Sequence, residues 1–225
     1  KWCCNPESQK YEIQTMVMGG KTKTVGRDVT VGEVMKEVER DRAYFRRSGG
    51  GLTLSGGESL MQPEFATALL KSAKNAGLTT AMESTAFADF SVIERYLPYL
   101  DTYLMDIKHT DSAKHEAFTG RPNGKILENA RKIAEYGGVE LVIRTPVIPG
   151  FNATKEEIAG IAQYASTLKG VKRMHILPYH RIGSDKYAGL GRKYELEGVE
   201  PPSKELMNEL AEVVKSYGLD CQIGG

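Results

Sequence analysis

The regular alternation of short apolar runs with helical patterns, from about residue 30 onward, is the feature that most constrains the fold. Six strands are predicted, at 52–54, 78–82, 102–107, 139–147, 171–177 and 219–223. Helices are predicted between them, at 30–47, 63–77, 90–97, 124–136, 154–168 and 203–217. Alternation at this spacing is typical of a parallel α/β sheet in a single domain.

Two helix starts carry a Thr-x-x-Glu capping box, Thr30 with Glu33 and Thr154 with Glu157. Two long stretches, 9–29 and 181–202, show neither pattern. Long loops in a compact domain are usually functional or mobile, so both stretches are of interest.

Composition excludes several classes of function. The 225 residues include 30 Lys and Arg against 29 Asp and Glu, a net charge of +1 that gives no electrostatic case for nucleic acid or an anionic membrane. No apolar run approaches the roughly 18 residues of a membrane span, and the polar start does not resemble a signal peptide. Three cysteines, at positions 3, 4 and 221, are too few for a disulfide-based secreted domain, so a reducing compartment, the cytoplasm, is expected.

Polar residues follow the predicted strands where a parallel sheet places its ligands. They are Gly56, Gly57 and Glu58, then Glu83 and Ser84, then Asp106 and Lys108, then Arg144, and finally His180. Carboxylates, cations and a glycine turn together suit a small zwitterionic ligand with an amine, a carboxylate and hydroxyls. The alternative is that strand ends are polar because the chain reaches the surface there.

Five stretches together resemble the activating enzymes of glycyl-radical enzymes, in the radical S-adenosylmethionine (SAM) superfamily. They are Cys3 to Glu7, Ser48 to Glu58, Leu104 to Lys108, Ile143 to Gly150 and Ile176 to His180. The resemblance implies a partial (β/α)6 barrel that binds a [4Fe–4S] cluster on a C-x3-C-x2-C loop, with SAM at the open iron.

On that resemblance, Cys3 is the third cluster cysteine, with Trp2 before it, and two further cysteines are expected before Lys1. Cys4 is then a packing thiol rather than a ligand. The expected organisation is one radical-SAM domain over residues 1–225, truncated at its N-terminus. No ferredoxin-like insertion is expected, because residues 5–30 contain no cysteine.

The resemblance also assigns roles to the residues at the strand ends. Gly56, Gly57 and Glu58 would receive the methionyl amine of SAM, Asp106 and Lys108 would hold its polar groups, and Arg144 and His180 would lie near its carboxylate and ribose. Asn5 would lie near the cluster. Glu83 and Ser84 occupy the positions where relatives have Asp-Thr, which contributes to a monovalent-cation site. The glutamate side chain is longer than the aspartate it replaces, so its carboxylate extends farther.

The implied reaction is reductive cleavage of SAM to a 5′-deoxyadenosyl radical, which abstracts hydrogen from a glycine of a partner enzyme. That partner would be of the formate-lyase, glycerol or diol dehydratase, or choline lyase type. The electron donor would be a flavodoxin or ferredoxin, and the activating enzyme a monomer. Lys186 to Gly191 and the Pro201-Pro202 region would lie near the barrel mouth, where a partner loop must enter. Two alternatives remain: a radical-SAM enzyme acting on a small molecule or peptide, and a cluster-free α/β domain that binds a nucleotide-like ligand.

Overall fold

The computed structural model describes residues 1–224 and contains two sheets. The strands are β1 (Gln14–Met18), β2 (Lys21–Val25), β3 (Gly51–Leu54), β4 (Thr79–Ser84), β5 (Thr102–Asp106), β6 (Glu140–Val147), β7 (Arg173–Pro178) and β8 (Asp220–Ile223). The first two pair antiparallel as a hairpin, and the other six form one sheet.

The six-stranded sheet is parallel throughout, and its strands lie side by side in chain order, from β3 to β8. The six predicted strands are therefore confirmed. Each strand returns parallel to its predecessor through a helical crossover, which places the helices along the outside of a curving sheet, as in (β/α) barrels. The architecture agrees with the expected partial (β/α)6 barrel.

Nine α-helices occur in the described residues. They are α1 (Val31–Val38), α2 (Arg42–Ser48), α3 (Pro63–Asn75), α4 (Phe90–Glu94), α5 (Ser112–Thr119), α6 (Gly124–Tyr136), α7 (Lys155–Ser166), α8 (Ser184–Gly189) and α9 (Lys204–Ser216). The helix predicted over 30–47 is divided by a 3-10 turn at Glu39–Asp41, and the one predicted over 90–97 ends at Glu94. Pro98 follows within a second 3-10 turn, and its missing N–H cannot continue an α-helix.

The two capping boxes differ in the structure. Thr30 accepts from the backbone of Glu33, and the Glu33 carboxylate accepts from the Thr30 N–H at 2.7 Å, so the first box is complete. Thr154 accepts from the backbone of Glu157 at 3.3 Å, but the Glu157 carboxylate faces His109 and Lys114 instead. The second box is therefore half formed.

The two stretches without a predicted element both contain one. Residues 9–29 include the β1–β2 hairpin, whose turn is Gly19-Gly20 with positive φ at both positions, the requirement of a tight hairpin turn. Residues 181–202 include α8. Within the hairpin only Met16 is buried, so the usual alternation of apolar and polar residues is weak.

Two hydrophobic clusters hold the molecule together. The larger one lies between the parallel sheet and its helices. The smaller one lies at the carboxyl ends of β6 and β7 and includes Phe151, Tyr179 and Tyr187, with Trp2 packed against it. The Trp2 and Phe151 rings lie 5.3 Å apart, so the segment that carries the cysteine pair is anchored at this edge. Across residues 1–224, no helix has the length and apolar character that crossing a membrane requires.

Candidate functional site

A cavity of about 590 Å³ opens at the carboxyl ends of the parallel strands. It brings together every residue that the sequence pointed to: Cys3, Cys4, Asn5, Gly56, Gly57, Glu58, Glu83, Ser84, Asp106, Lys108, Arg144 and His180. Parallel strands in chain order end at the same edge, which is why residues far apart in sequence share one wall.

Charged side chains form a network across the middle of the cavity. Lys108 Nζ lies 3.0 Å from Asp106 Oδ2, and Arg144 is paired with Glu83. Arg144 Nε lies 3.6 Å from Asp106 Oδ1. All four side chains are at most 34% exposed, so these pairs interact more strongly than surface ion pairs do.

Two atoms of this network lack a hydrogen-bond partner. Within residues 1–224, neither Asp106 Oδ1 nor Arg144 Nε makes a hydrogen bond, although both are buried. Their 3.6 Å separation is too long for a good hydrogen bond. Leaving a charged donor and a charged acceptor without hydrogen bonds is costly, and these two buried atoms face each other as an ion pair rather than facing solvent.

The Glu58 carboxylate is already occupied by the protein. It accepts from Ser84 Oγ at 2.6 Å, from the Thr85 N–H at 3.0 Å, from Thr85 Oγ1 at 2.7 Å and from the Leu60 N–H at 3.3 Å. Glu58 and Ser84 thus line the cavity while also bonding to each other. The Gly56–Gly57 turn lines the same cavity.

The two glycines of this turn matter for different reasons, one for backbone conformation and one for packing. Gly56 has φ +102°, which side chains disfavour. A Cβ at Gly57 would lie 3.1 Å from Ser8 Cβ, so a side chain there would press on the segment that follows the cysteines.

The Glu83 carboxylate also has protein partners, which bears on the expected monovalent cation. It accepts from Ser55 Oγ at 2.6 Å and is paired with Arg144. An arginine supplies the positive charge that a cation would bring. No group of three or more His, Cys, Asp or Glu residues suited to a metal ion occurs in residues 1–224. The geometry gives the cation prediction no support.

Two of the three cysteines lie at the cavity. Cys4 Sγ lies 3.9 Å from His180 Nε2 and 3.8 Å from the Trp2 carbonyl oxygen. Burial, then the neighbouring Cys3, raises the pKa of the Cys4 thiol. Cys4, expected as a packing thiol rather than a ligand, is partly buried and contributes to the cavity wall. Cys221 lies on β8 outside the cavity, and burial raises its pKa to about 11.

Residues 181–192 pack against the segment that carries the cysteines. Lys186 Nζ donates to Asn5 Oδ1 at 2.7 Å and to Glu7 Oε1 at 2.6 Å, and Arg192 Nη1 donates to the Pro6 carbonyl at 3.0 Å. The inner face of this segment is packed on the cysteine segment, which places it beside the cavity that Asn5 lines. Sequence reasoning missed these contacts because they join residues about 180 positions apart.

Comparison with known proteins identifies the same architecture. The Radical SAM superfamily profile matches residues 1–165. An indoleacetate decarboxylase activating enzyme from Tractidigestivibacter scatoligenes is 39% identical over 198 residues, which cover 88% of this chain and 62% of that protein. The chain therefore spans less than two thirds of that relative's length.

Two further similarities extend over more of the matched protein. A pyruvate formate-lyase-activating enzyme from Staphylococcus epidermidis is 35% identical over 223 residues, 96% of this chain and 84% of that protein. The crystal structure of a domain of a pyruvate-formate lyase-activating enzyme from Bacteroides vulgatus matches with a TM-score of 0.66 and 30% identity, over 78% of this chain and 99% of that domain. The chain thus belongs to the radical SAM superfamily, among the activating enzymes of glycyl-radical enzymes.

Proposed function

We propose that this chain forms the SAM-binding core of an enzyme that installs a radical on a glycine of a partner glycyl-radical enzyme. The observation that carries the proposal is the single cavity that joins a cysteine pair, a glycine turn and a four-residue charge network. The superfamily uses a [4Fe–4S] cluster and SAM, and these groups supply reductive cleavage of SAM to a 5′-deoxyadenosyl radical.

The cavity residues fit the polar parts of SAM. The Gly56–Gly57 turn brings backbone carbonyls close to a ligand, and carbonyl oxygens accept from an ammonium. Lys108 and Arg144 supply the cations that a carboxylate needs.

The cysteine pair fits one corner of a cluster. Cluster iron takes soft thiolate ligands, and Cys3 lies at the cavity wall beside Cys4. We assign Cys3 as the ligand and Cys4, whose thiol lies against His180, as a neighbour that does not bind iron. His180 is exposed, and we assign it to the ribose side of the cofactor.

The proposed partner is an enzyme of the glycyl-radical class, which the relatives' names indicate: an indoleacetate decarboxylase in one case and a pyruvate formate-lyase in another. The electron would come from a flavodoxin or ferredoxin. We place the enzyme in the cytoplasm, where thiols stay reduced, and expect it to act as a monomer with residues 1–225 in one radical-SAM domain.

The first test is anaerobic reconstitution of the intact protein that contains this chain, with iron and sulfide. We expect bound iron, and 5′-deoxyadenosine when SAM and a reductant are added. Cys3→Ala should abolish both, whereas Cys4→Ala should retain iron. Equal loss in the two variants would overturn the assignment of Cys3, and no iron in the unsubstituted protein would favour a cluster-free ligand-binding domain.

The second test identifies the hydrogen donor. A glycyl-radical enzyme encoded beside this protein, carrying glycine deuterated at Cα, should transfer deuterium to 5′-deoxyadenosine and acquire a glycyl-radical signal in electron paramagnetic resonance. Deuterium transfer from a small molecule or a short peptide, with no signal on the partner, would instead establish the alternative radical-SAM activity.

A further inference from the structure

The segment Gly183–Arg192, which includes α8, lies directly against the segment that carries the cysteines. A Cβ at Gly183 would lie 3.1 Å from both the Cys3 carbonyl oxygen and Cys4 Cα. A Cβ at Gly189 would lie 2.5 Å from the Val17 carbonyl oxygen of β1. Gly189 therefore allows a backbone approach that a side chain would disturb, and Gly183 allows a tight one. We call Gly183–Arg192 the clamp segment.

Lys186 provides the polar part of this contact. Its ammonium donates to Asn5 Oδ1 at 2.7 Å and to Glu7 Oε1 at 2.6 Å. The Lys186 side chain is 25% exposed and that of Glu7 only 11%, so water competes little for these charges. Charge-assisted hydrogen bonds of this kind are among the strongest that side chains make.

Asn5 connects Lys186 to the glycine turn through hydrogen bonds. Its Nδ2 donates to the Gly56 carbonyl oxygen at 2.8 Å while its Oδ1 accepts from Lys186. Lysine can only donate and a carbonyl can only accept, so the two partners fix the amide in one orientation. Lys186, Asn5 and Gly56 thus form a relay that joins the clamp segment, the cysteine segment and the turn after β3.

We propose that Lys186 and Asn5 are positioning residues that hold the Cys3 thiol at a set distance from the Gly56–Gly57 turn. This inference rests on the proposed function, in which the thiol binds the cluster and the turn binds the amine of SAM. The position of the cluster-binding thiol and that of the SAM-binding turn then both depend on this relay. Lys186 and Asn5 themselves do not touch the reacting atoms. The assignment also gives the clamp segment a role other than partner entry.

Hydrogen–deuterium exchange of the protein without metal tests the first half of the relay. In Lys186→Gln, amides of peptides covering residues 3–9 should exchange about tenfold faster, since charge-assisted hydrogen bonds are lost, while peptides from β5 and β6 stay unchanged. Lys186→Arg should restore most of the protection. Lys155→Gln, which removes an exposed lysine paired with Glu209, is the matched control and should change neither region. Unchanged exchange at residues 3–9 in Lys186→Gln would overturn the relay.

Asn5→Asp tests the second half. The variant keeps an acceptor for Lys186 but places a carboxylate oxygen against the Gly56 carbonyl, so the turn is pushed away. We expect the Kd for SAM to rise about tenfold with the melting temperature unchanged, because the contact is local. An unchanged Kd would refute the positioning role. If the unsubstituted protein binds no SAM, the proposed function fails, whereas the exchange experiment still decides whether the relay exists.

Discussion

Glu58 shows how one side chain that lines a cavity can also hold the cavity wall together. Its carboxylate accepts from two hydroxyls and two backbone N–H groups, contributed by residues 60, 84 and 85. These contacts tie the turn after β3 to the end of β4. A glycine turn with little intrinsic rigidity is held in place by this carboxylate.

Glu58→Gln should therefore destabilise the protein by about 1–3 kcal/mol, the range for leaving a buried donor unsatisfied, because the amide NH2 turns a donor toward other donors. Urea unfolding followed by circular dichroism measures the change. Glu64→Gln is the matched control: Glu64 is 79% exposed and paired only with Arg95. A loss no larger than that of the control would contradict this role for Glu58.

Arg144 is the residue on which the charge network depends. Replacing it with Met leaves the Glu83 and Asp106 carboxylates without their shared cation. We expect the Kd for SAM to rise about tenfold or more, as for loss of a charge-assisted hydrogen bond. Calorimetric titration measures it. Arg173→Met removes an arginine from the same sheet that is 44% exposed, and it should leave the Kd unchanged; equal effects would exclude a specific role for Arg144.

The sequence predicted which residues meet but not what each one touches. The expectation that ligand-binding residues lie at the carboxyl ends of parallel strands placed Asp106, Lys108 and Arg144 at one edge, because such strands end together. It could not show that Glu58 and Glu83 are engaged by the protein itself. Those partners depend on side-chain directions at the ends of β3 and β4, which no local pattern encodes.

At the scale of elements, β3 depends on one small residue. A Cβ at Gly51 would lie 2.0 Å from the Thr79 carbonyl oxygen, which is backbone and cannot move aside without disturbing β4. The glycine at the start of β3 is therefore required for its pairing with β4.

Gly51→Ala should cost about 1–3 kcal/mol, as overpacking typically does. It should also accelerate exchange of the β3 amides. Gly124→Ala is the control, because no atom lies within 4 Å of a Cβ there and the residue begins α6; alanine should be neutral or stabilise the protein by up to about 1 kcal/mol. Measured unfolding free energies of the two variants that agree within error would show that the close approach is not limiting.

Elements with strong periodicity were predicted well, and those fixed by distant contacts were not. Helix α6 was predicted with its observed bounds, since its apolar spacing and the glycine at its end agree. The β1–β2 hairpin and α8 escaped prediction because few of their side chains are buried and each is supported by the other. Gly19-Gly20 was the one local signal for the hairpin.

For the whole molecule, buried histidines set the response to acid. Burial lowers the pKa of His109, His115 and His175. A histidine whose pKa is lower in the folded state than in the unfolded state binds fewer protons when folded. The stability that such a histidine contributes is present above its pKa in the unfolded state. It is lost as the pH falls below that pKa.

We therefore expect the melting temperature to fall between about pH 7 and pH 5, the range in which unfolded histidines take up protons. Differential scanning calorimetry across that range measures the slope. Carboxylates such as Asp111, whose pKa is lowered by the backbone N–H of Lys114, titrate below it. His109→Gln should flatten the slope whatever it does to the absolute stability; an unaltered slope would assign the acid response to other groups.

The span of 181 residues between Asn5 and Lys186 has a consequence during translation. At about 5–20 residues per second, roughly ten to forty seconds separate the emergence of the cysteine pair from that of the lysine that anchors its segment. For that time the thiols of a nascent chain have no settled position. Iron delivered before the clamp segment has emerged would meet unorganised ligands, so we expect iron loading to follow the emergence of that segment.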